Sequence, residues 1–318
     1  MKLKRILVTG GCGFIGANLL STLLNNKSEH RITIYDNLSS SSLANLKSIL
    51  NNTPKKDSVE FIKGDILNYD KFDRALKDKD TLVHLAAHTS VIDSKKFPKT
   101  DFRCNNEGVM NALELARKNR IKKFIFASSN AVLGEHLPPI NEESRPAPIS
   151  PYGANKLYGE ILCSVYFNTY GLKTVALRFS NVYGPYSDHK NSVVARFIKR
   201  VRDGKALEIF GDGSQTRDFI FVGDLVRAII SAMDKDIGGE LFHIATEKET
   251  RIIELGEEIK RQMKCARSKI IFKEARAGEI KRSYADIAKA RKILNFEPSF
   301  GLKEGLGETI KYFTDSSR

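Results

Sequence analysis

Three residues in the middle of the chain have the types and spacing to take a proton from a substrate hydroxyl. Tyr152 and Lys156 stand in a Tyr-x-x-x-Lys pattern, which on a helix places both side chains on one face, one turn apart. A tyrosine is a poor base at its ordinary pKa of ~10. A neighbouring ammonium favours the phenolate, and bringing the group to neutrality takes about 4 kcal/mol of differential stabilisation. Ser129 follows Ser128 at the end of the apolar run 124–127, and from an exposed strand end it could hydrogen-bond the same hydroxyl. The pattern is also common on ordinary helix surfaces, so the elements that carry it must decide.

Ser150-Pro151, just ahead of Tyr152, offers an N-cap and a first-turn proline, so a helix starts there. At the other end of this half, residues 4–8 read as a buried strand that runs into Thr9-Gly10-Gly11-Cys12-Gly13-Phe14-Ile15-Gly16. Helical periodicity follows at Leu19, Leu20, Leu23 and Leu24. Strand, glycine turn and helix form the context in which such glycines bring a pyrophosphate to a helix N-terminus. A second strand at 31–35 ends in Asp36-Asn37. A carboxylate about twenty residues beyond the glycines suits the adenosine ribose hydroxyls and would repel a 2′-phosphate, which favours NAD over NADP.

A third strand from Val59 reaches Asp65-Ile66, where a carboxylate could accept from an adenine amino group. The fourth, at 81–85, ends in Leu85 and runs into Ala86-Ala87-His88-Thr89, small residues against which a cofactor can lie. His88 beside such an edge reads as structural before catalytic. A helix opens at Asn105-Asn106-Glu107-Gly108, and 124–127 is the fifth strand. Strands alternating with helices predict an α/β fold, a Rossmann doubly wound parallel sheet with ligands at the strand carboxyl ends. Beyond a sixth strand at 174–177 the alternation weakens, which predicts a smaller, interleaved C-terminal α/β domain. The expected division is 1–178 plus about 213–247 for the first domain and about 179–212 plus 248–318 for the second.

The 318 residues suit one large or two modest domains. No apolar run approaches the ~20 residues of a membrane span, and the first residues lack a signal-peptide layout. Four scattered cysteines without a Cys-x-x-Cys pair suggest neither a disulfide framework nor a zinc site. The expectation is a cytoplasmic protein without a metal, a membrane partner or a nucleic-acid partner. The net charge of +14 is compatible with nucleic acid, an anionic ligand or a lysine-rich proteome. Because the basic residues are scattered and not interleaved with aromatics, the last reading is preferred, with an anionic ligand accounting for part of the excess.

Taken together, these stretches resemble the extended short-chain dehydrogenase/reductase family, and within it the nucleotide-sugar 4-epimerases. Its marks here are the loop 9–16, Asp36, Asp65-Ile66, Ser129 with Tyr152 and Lys156, RFSNVYGP (178–185), GDGSQTRDF (211–219) and RAGEIKRSYAD (276–286). The resemblance implies a Rossmann NAD domain with a small substrate domain over its mouth, and usually a homodimer through helices near 105–118 and 152–169. Tyr152 would be the general base, Lys156 its partner and Ser129 the residue that orients the sugar hydroxyl. NAD would be held by Gly10, Gly13, Phe14, Ile15 and Gly16, by Asp36, Asn37, Asp65 and Ile66, and by Leu85, Ala86, Ala87 and Thr89. Asn105, Ser128, Tyr152, Lys156 and Phe179 would complete that site. A UDP-sugar would meet Asn181, Val193 and Phe210, an arginine clamp of Arg217 and Arg276, and Glu279 and Ser283.

The implied reaction oxidises carbon 4 to a ketone, turns the sugar and returns the hydride to the other face. Departures from the family narrow the choice. Dehydratases place Asp-Glu after the serine or threonine, and this chain has Asn130-Ala131. The usual Val-Tyr-Gly is Val132-Leu133-Gly134, and Gly-Pro-Arg is Gly184-Pro185-Tyr186, a loss of arginine that argues against uronic acids. Ser283 stands where some glucose-only epimerases have a tyrosine, leaving room for an N-acetyl group. The rivals are another enzyme on the same site, such as a UDP-glucuronate epimerase or a 4-ketoreductase, and a non-enzymatic NAD sensor or RNA binder.

Overall fold

Runs of Ile, Val, Leu and Phe with little polar alternation belong to strands covered on both faces, and five such strands with a less buried edge strand, Val59–Lys63, build one half of the molecule. They are β1 (Arg5–Thr9), β2 (Arg31–Asp36), β3 (Val59–Lys63), β4 (Thr81–His84), β5 (Lys123–Ser129) and β6 (Thr174–Phe179). With the edge strand Glu240–Ile244 they form a seven-stranded sheet in the order 240–244, β6, β5, β4, β1, β2, β3. The pairs β2–β3, β1–β2, β1–β4 and β4–β5 are parallel, the doubly wound arrangement expected from the alternation. The crossovers carry α1 (Phe14–Asn25), α2 (Leu43–Asn51), α3 (Tyr69–Leu76), α4 (Val91–Lys96), α5 (Pro98–Phe102), α6 (Gly108–Lys118) and α7 (Pro151–Tyr170). Between α5 and α6 the helix widens into a π-type turn, Arg103–Glu107. The computed structural model describes residues 3–26, 29–265, 268–275, 278 and 280–315. No helix among the described residues is long and apolar enough to cross a membrane.

The chain divides into two units. One comprises Met1–Gly134, Arg145–Arg178 and Val226–Phe242, the other Glu135–Ser144, Phe179–Leu225 and His243–Arg318. Segments 135–144, 213–225 and 243–247 therefore group differently from the sequence expectation. Their backbone partners explain it: Phe219–Phe221 pairs in parallel with Asn181–Tyr183, and Ile140 bridges Ala285. The second unit also pairs Leu207–Phe210 with Ile270–Lys273 and Thr216–Arg217 with Thr250–Arg251.

The longest helix, α7, begins as its residues predict. Ser150 Oγ accepts from the Gly153 amide at 3.1 Å, Pro151 fills the first position, and Gly171 ends the helix in a left-handed conformation. Its position on the sheet is fixed by Glu160, whose carboxylate accepts from Arg178 Nε at 2.9 Å, Arg178 Nη2 at 2.7 Å and Ser128 Oγ at 2.5 Å. All three side chains are buried. Removing one member of such a pair leaves the other charge uncompensated. Arg178→Leu should cost about 3–5 kcal/mol in urea unfolding, and pairing it with Glu160→Gln should restore much of that loss. A single-variant loss below about 1 kcal/mol, the range of a surface ion pair, would show the pair to be dispensable.

Candidate active site

Strand β5 and helix α7 bring the three proton-handling candidates together. Ser129 ends β5, and its side chain hydrogen-bonds Tyr152. Ser129 Oγ also accepts from the Ala131 amide at 3.2 Å. Lys156 lies one turn along α7, donates to the Ala127 carbonyl at 2.7 Å, and sits 5.9 Å from the Tyr152 ring centre. Both α7 residues are buried, and this reverses one expectation. The ammonium is in place, yet burial dominates: Tyr152 is pushed up to about 12, with the Ser129 bond lowering it and Asp101 raising it further. Burial likewise pulls Lys156 down to about 8, against the upward pull of Cys104, Asp101 and Glu160.

The cofactor candidates, apart from Phe179, lie in the same unit. Gly10 has a left-handed φ of 68°, and a Cβ there would come within 2.8 Å of the Ala86 nitrogen. One at Gly16 would come within 2.5 Å of Gly11 Cα and 2.6 Å of the Gly10 carbonyl. The loop thus folds tightly against β4's exit, and Gly13 opens α1 without a side chain to shield the first-turn amides. Asp36 is buried; Oδ2 accepts from Cys12 N–H at 3.0 Å, and Oδ1 from Leu38 N–H at 2.8 Å and Ser41 Oγ at 3.0 Å. A carboxylate has about four acceptor positions, so it orders the loop and retains capacity for a ribose hydroxyl. Asn37 donates to Asp65 Oδ2 at 2.9 Å, and Asp65 Oδ1 accepts from Leu67 N–H at 2.9 Å.

Thr9 anchors the β4 exit through Leu85 N–H and Ala86 N–H, each at 3.2 Å. The Asn105 side chain brackets His88, accepting from its N–H and donating to its carbonyl, both at 3.0 Å. Ile66, Phe14 and Phe179 are buried, Ala87 and Ile15 partly buried, and Thr89 is exposed. Ser128's hydroxyl is taken by Glu160, leaving its backbone for a cofactor. A tight glycine turn, amides at a helix start and a carboxylate at the end of β2 fit a dinucleotide.

In the second unit Asp218 gathers several of the substrate candidates. Its carbonyl accepts from Asn181 N–H at 3.0 Å. Its carboxylate accepts from Thr246 N–H at 2.9 Å, Thr246 Oγ1 at 2.7 Å and Glu247 N–H at 3.0 Å, and from the Ala285 amide, two residues beyond Ser283. Arg217 donates to the Thr216 carbonyl at 2.7 Å. Val193 opens its helix, and the Arg196 guanidinium, which sequence reasoning missed, lies over the Phe210 ring at 5.5 Å. Arg276 and Glu279 lie outside the described residues. Asp218, Glu160, Arg178 and Asp101 were also missed. Glu160 had one available signal, its place one helical turn after Lys156.

Residues 6–245 match the NAD dependent epimerase/dehydratase family. The chain is similar to a UDP-N-acetylglucosamine 4-epimerase from Methanobrevibacter ruminantium, solved with UDP-N-acetylmuramic acid, at 35% identity and TM-score 0.92 over 99% of this chain and 100% of that one. A UDP-glucose 4-epimerase from Thermotoga maritima with UDP-glucose matches at 35% and 0.91 over 99% and 100%. A UDP-glucuronic acid 4-epimerase from Bacillus cereus, with UDP-glucuronic acid and NAD, matches at 32% and 0.90 over 98% and 99%.

Two titrations follow from these environments. Ultraviolet difference titration of the wild type against Tyr152→Phe should place the Tyr152 ionisation above the ordinary tyrosine range; a midpoint at or below ~10 would contradict the burial argument. Burial raises Asp218 from 3.8 to about 6, its hydrogen bonds opposing this only in part. The native state then holds a proton that the unfolded chain has released, so stability is full below 3.8 and falls as pH rises through about 6. The roughly two-unit shift corresponds to about 3 kcal/mol. Urea unfolding between pH 4 and pH 7 should show this extra loss in the wild type and not in Asp218→Asn; parallel curves would refute it.

Proposed function

The chain belongs to the NAD dependent epimerase/dehydratase family, and on that premise we propose that it is an NAD-dependent 4-epimerase of UDP-hexoses, the N-acetylated hexosamines included. The observation that carries this reading is the hydrogen-bonded Ser129–Tyr152 pair followed by a turn that holds no acid. Asn130 and Ala131 occupy that turn, so the chain has no carboxylate there with which to draw a proton from carbon 5 for dehydration.

Ser129 and Tyr152 share the sugar 4-hydroxyl, and Tyr152 takes its proton and later gives it back. Lys156 supports the phenolate while its own charge is anchored on the Ala127 carbonyl. NAD, when bound, would supply the hydride chemistry at carbon 4 that these side chains cannot. Gly10, Gly13 and Gly16 would hold its pyrophosphate and Asp36 its ribose. Arg217 and Arg276 are proposed as the diphosphate clamp, a task suited to a guanidinium fork, with Asn181 and Phe210 on the rest of the nucleotide. Binding energy from the nucleotide then holds the substrate while the sugar turns.

Uronic acids are placed behind neutral hexoses. Tyr186 stands where the family's arginine would, and its ring packs on Tyr312 at 4.8 Å, supplying no cation to a sugar carboxylate. A homodimer through α6 and α7 is also proposed. Of the apolar α7 residues, Leu162 packs into the core and Phe167 sits under Gly238 and Gly239. Ile161 and Val165, with Met110 of α6, stay exposed and would form the contact.

The test is NMR of the protein incubated with NAD and either UDP-glucose or UDP-N-acetylglucosamine, for the wild type and Ser283→Tyr. Both galacto-configured products should form with the wild type. The variant should lose N-acetyl turnover at least tenfold more than glucose turnover, since one steric clash in a sugar pocket is worth about 1–3 kcal/mol. Equal losses would remove Ser283 from the specificity argument, and no product from either sugar would refute the epimerase reading.

A further inference from the structure

In the second unit, Ser283 lies in the connection between the strand Ile270–Lys273 and the helix Ala288–Leu294, so no long ladder holds it. Backbone bonds anchor the chain on either side of it. The Lys281 carbonyl accepts from Thr216 N–H at 2.9 Å, and the Tyr284 carbonyl accepts from Ile140 N–H at 3.1 Å. Arg282 and Ser283 lie between these anchors, and a side chain holds that step. Glu249 accepts from Arg282 Nε on Oε1 and from Arg282 Nη2 on Oε2, both at 2.8 Å. The same Oε1 accepts from the Thr216 hydroxyl. Glu249 immediately precedes Thr250–Arg251, the strand paired with Thr216–Arg217. One carboxylate therefore joins three segments of the second unit.

Stability is a poor reason for this arrangement. The Arg282 side chain is 56% exposed and that of Glu249 23%, and an ion pair so near water adds about 0–1 kcal/mol. A two-pronged guanidinium–carboxylate bond does fix direction, because two N–H groups must meet two oxygens at once. The Arg282 bonds hold the Glu249 carboxyl below its ordinary range, so the tie is intact at neutral pH. Each of its partners stands next to a proposed substrate contact: Arg217 follows Thr216, and Ser283 follows Arg282.

We propose that Glu249 is a positioning residue of the nucleotide-sugar site, which locks Ser283 against the strand carrying Arg217 and so fixes the room left for the sugar's 2-substituent. The proposal rests on the reading in which Arg217 and Ser283 meet the substrate. With the tie in place the step at 282–283 cannot yield, and bulk introduced at 283 excludes an N-acetyl group. With the tie cut, the anchors at Lys281 and Tyr284 remain, the step between them moves outward, and the same bulk is tolerated. Arg282 serves Glu249 and not the diphosphate, its fork being already engaged.

The experiment compares wild type, Glu249→Gln, Arg282→Gln, Thr216→Ser, Ser283→Tyr and the double variant Glu249→Gln/Ser283→Tyr. Hydrogen exchange of the free proteins should be on the order of fivefold faster at 281–284 in Glu249→Gln and Arg282→Gln, the scale of one exposed charge pair. Thr216→Ser keeps the hydroxyl and should exchange like the wild type. In the epimerase assay Glu249→Gln should raise KM for UDP-N-acetylglucosamine by up to about fivefold with kcat within about twofold of wild type. The double variant should recover several-fold of the N-acetyl turnover lost in Ser283→Tyr. Unchanged exchange in Glu249→Gln, or a double variant as discriminating as Ser283→Tyr, would overturn the proposal. It also fails if Arg282→Gln weakens UDP binding without faster exchange, which would make Arg282 a phosphate ligand. Exchange is read without substrate: faster exchange with a wild type inactive on UDP-hexoses sinks the epimerase reading alone, and unchanged exchange with an active wild type sinks the tie alone.

Discussion

The Glu160 carboxylate is the constraint on which the first unit's chemistry depends. It joins three elements at once: Ser128 at the end of β5, Arg178 near the end of β6, and α7 itself. A buried ion pair adds little net stability, because desolvation consumes much of the Coulombic gain. What it supplies here is register. With Ser128 turned inward to Glu160, strand alternation turns Ser129 to the other face, and Lys156, one turn before Glu160, is set against the same strand end through the Ala127 carbonyl. Slipping α7 by a residue would break all of these bonds together.

The close approach of α7 to the sheet serves the same end. A Cβ on Gly153 would meet the Ala131 carbonyl oxygen at 2.3 Å, so the helix can start this near the Ser129 turn only because its third residue is glycine. The neighbouring Ser150 cap and Pro151 then fix the direction in which α7 departs. Tyr152, between cap and glycine, has little freedom left. Such placement of a reacting group by its supporting shell is what positional catalysis requires.

Sequence read the local features well because local chemistry determines them. The ends of the parallel strands, the serine cap with its proline, the glycine turn and the acid after β2 follow from steric and hydrogen-bonding rules spanning a few residues. The sign of the Tyr152 shift did not, because Lys156 is visible four residues away while burial is contributed by side chains distant in the chain. Asp101 lies 51 positions before Tyr152, and only the folded α5–α7 contact reveals that its charge reaches the phenol. The segments 135–144 and 213–225 were assigned by chain order, whereas their strand and bridge partners belong to the second unit. The place of Phe167 is likewise set from afar, its ring lying where a Cβ on Gly238 or Gly239 would meet it at 2.7 or 2.2 Å.

Burial acts on Tyr152 and Lys156 more strongly than the surrounding charges do. It pushes the phenol up and the ammonium down, so desolvation favours the state in which both are neutral. Asp101 and Glu160 oppose this at Lys156 by favouring its charged form, and Asp101 does so at the expense of the phenolate. No fixed arrangement of these anions can help both groups, since what stabilises the cation penalises the neighbouring anion. A site built this way holds its proton on the tyrosine at rest, because burial outweighs the charges around it.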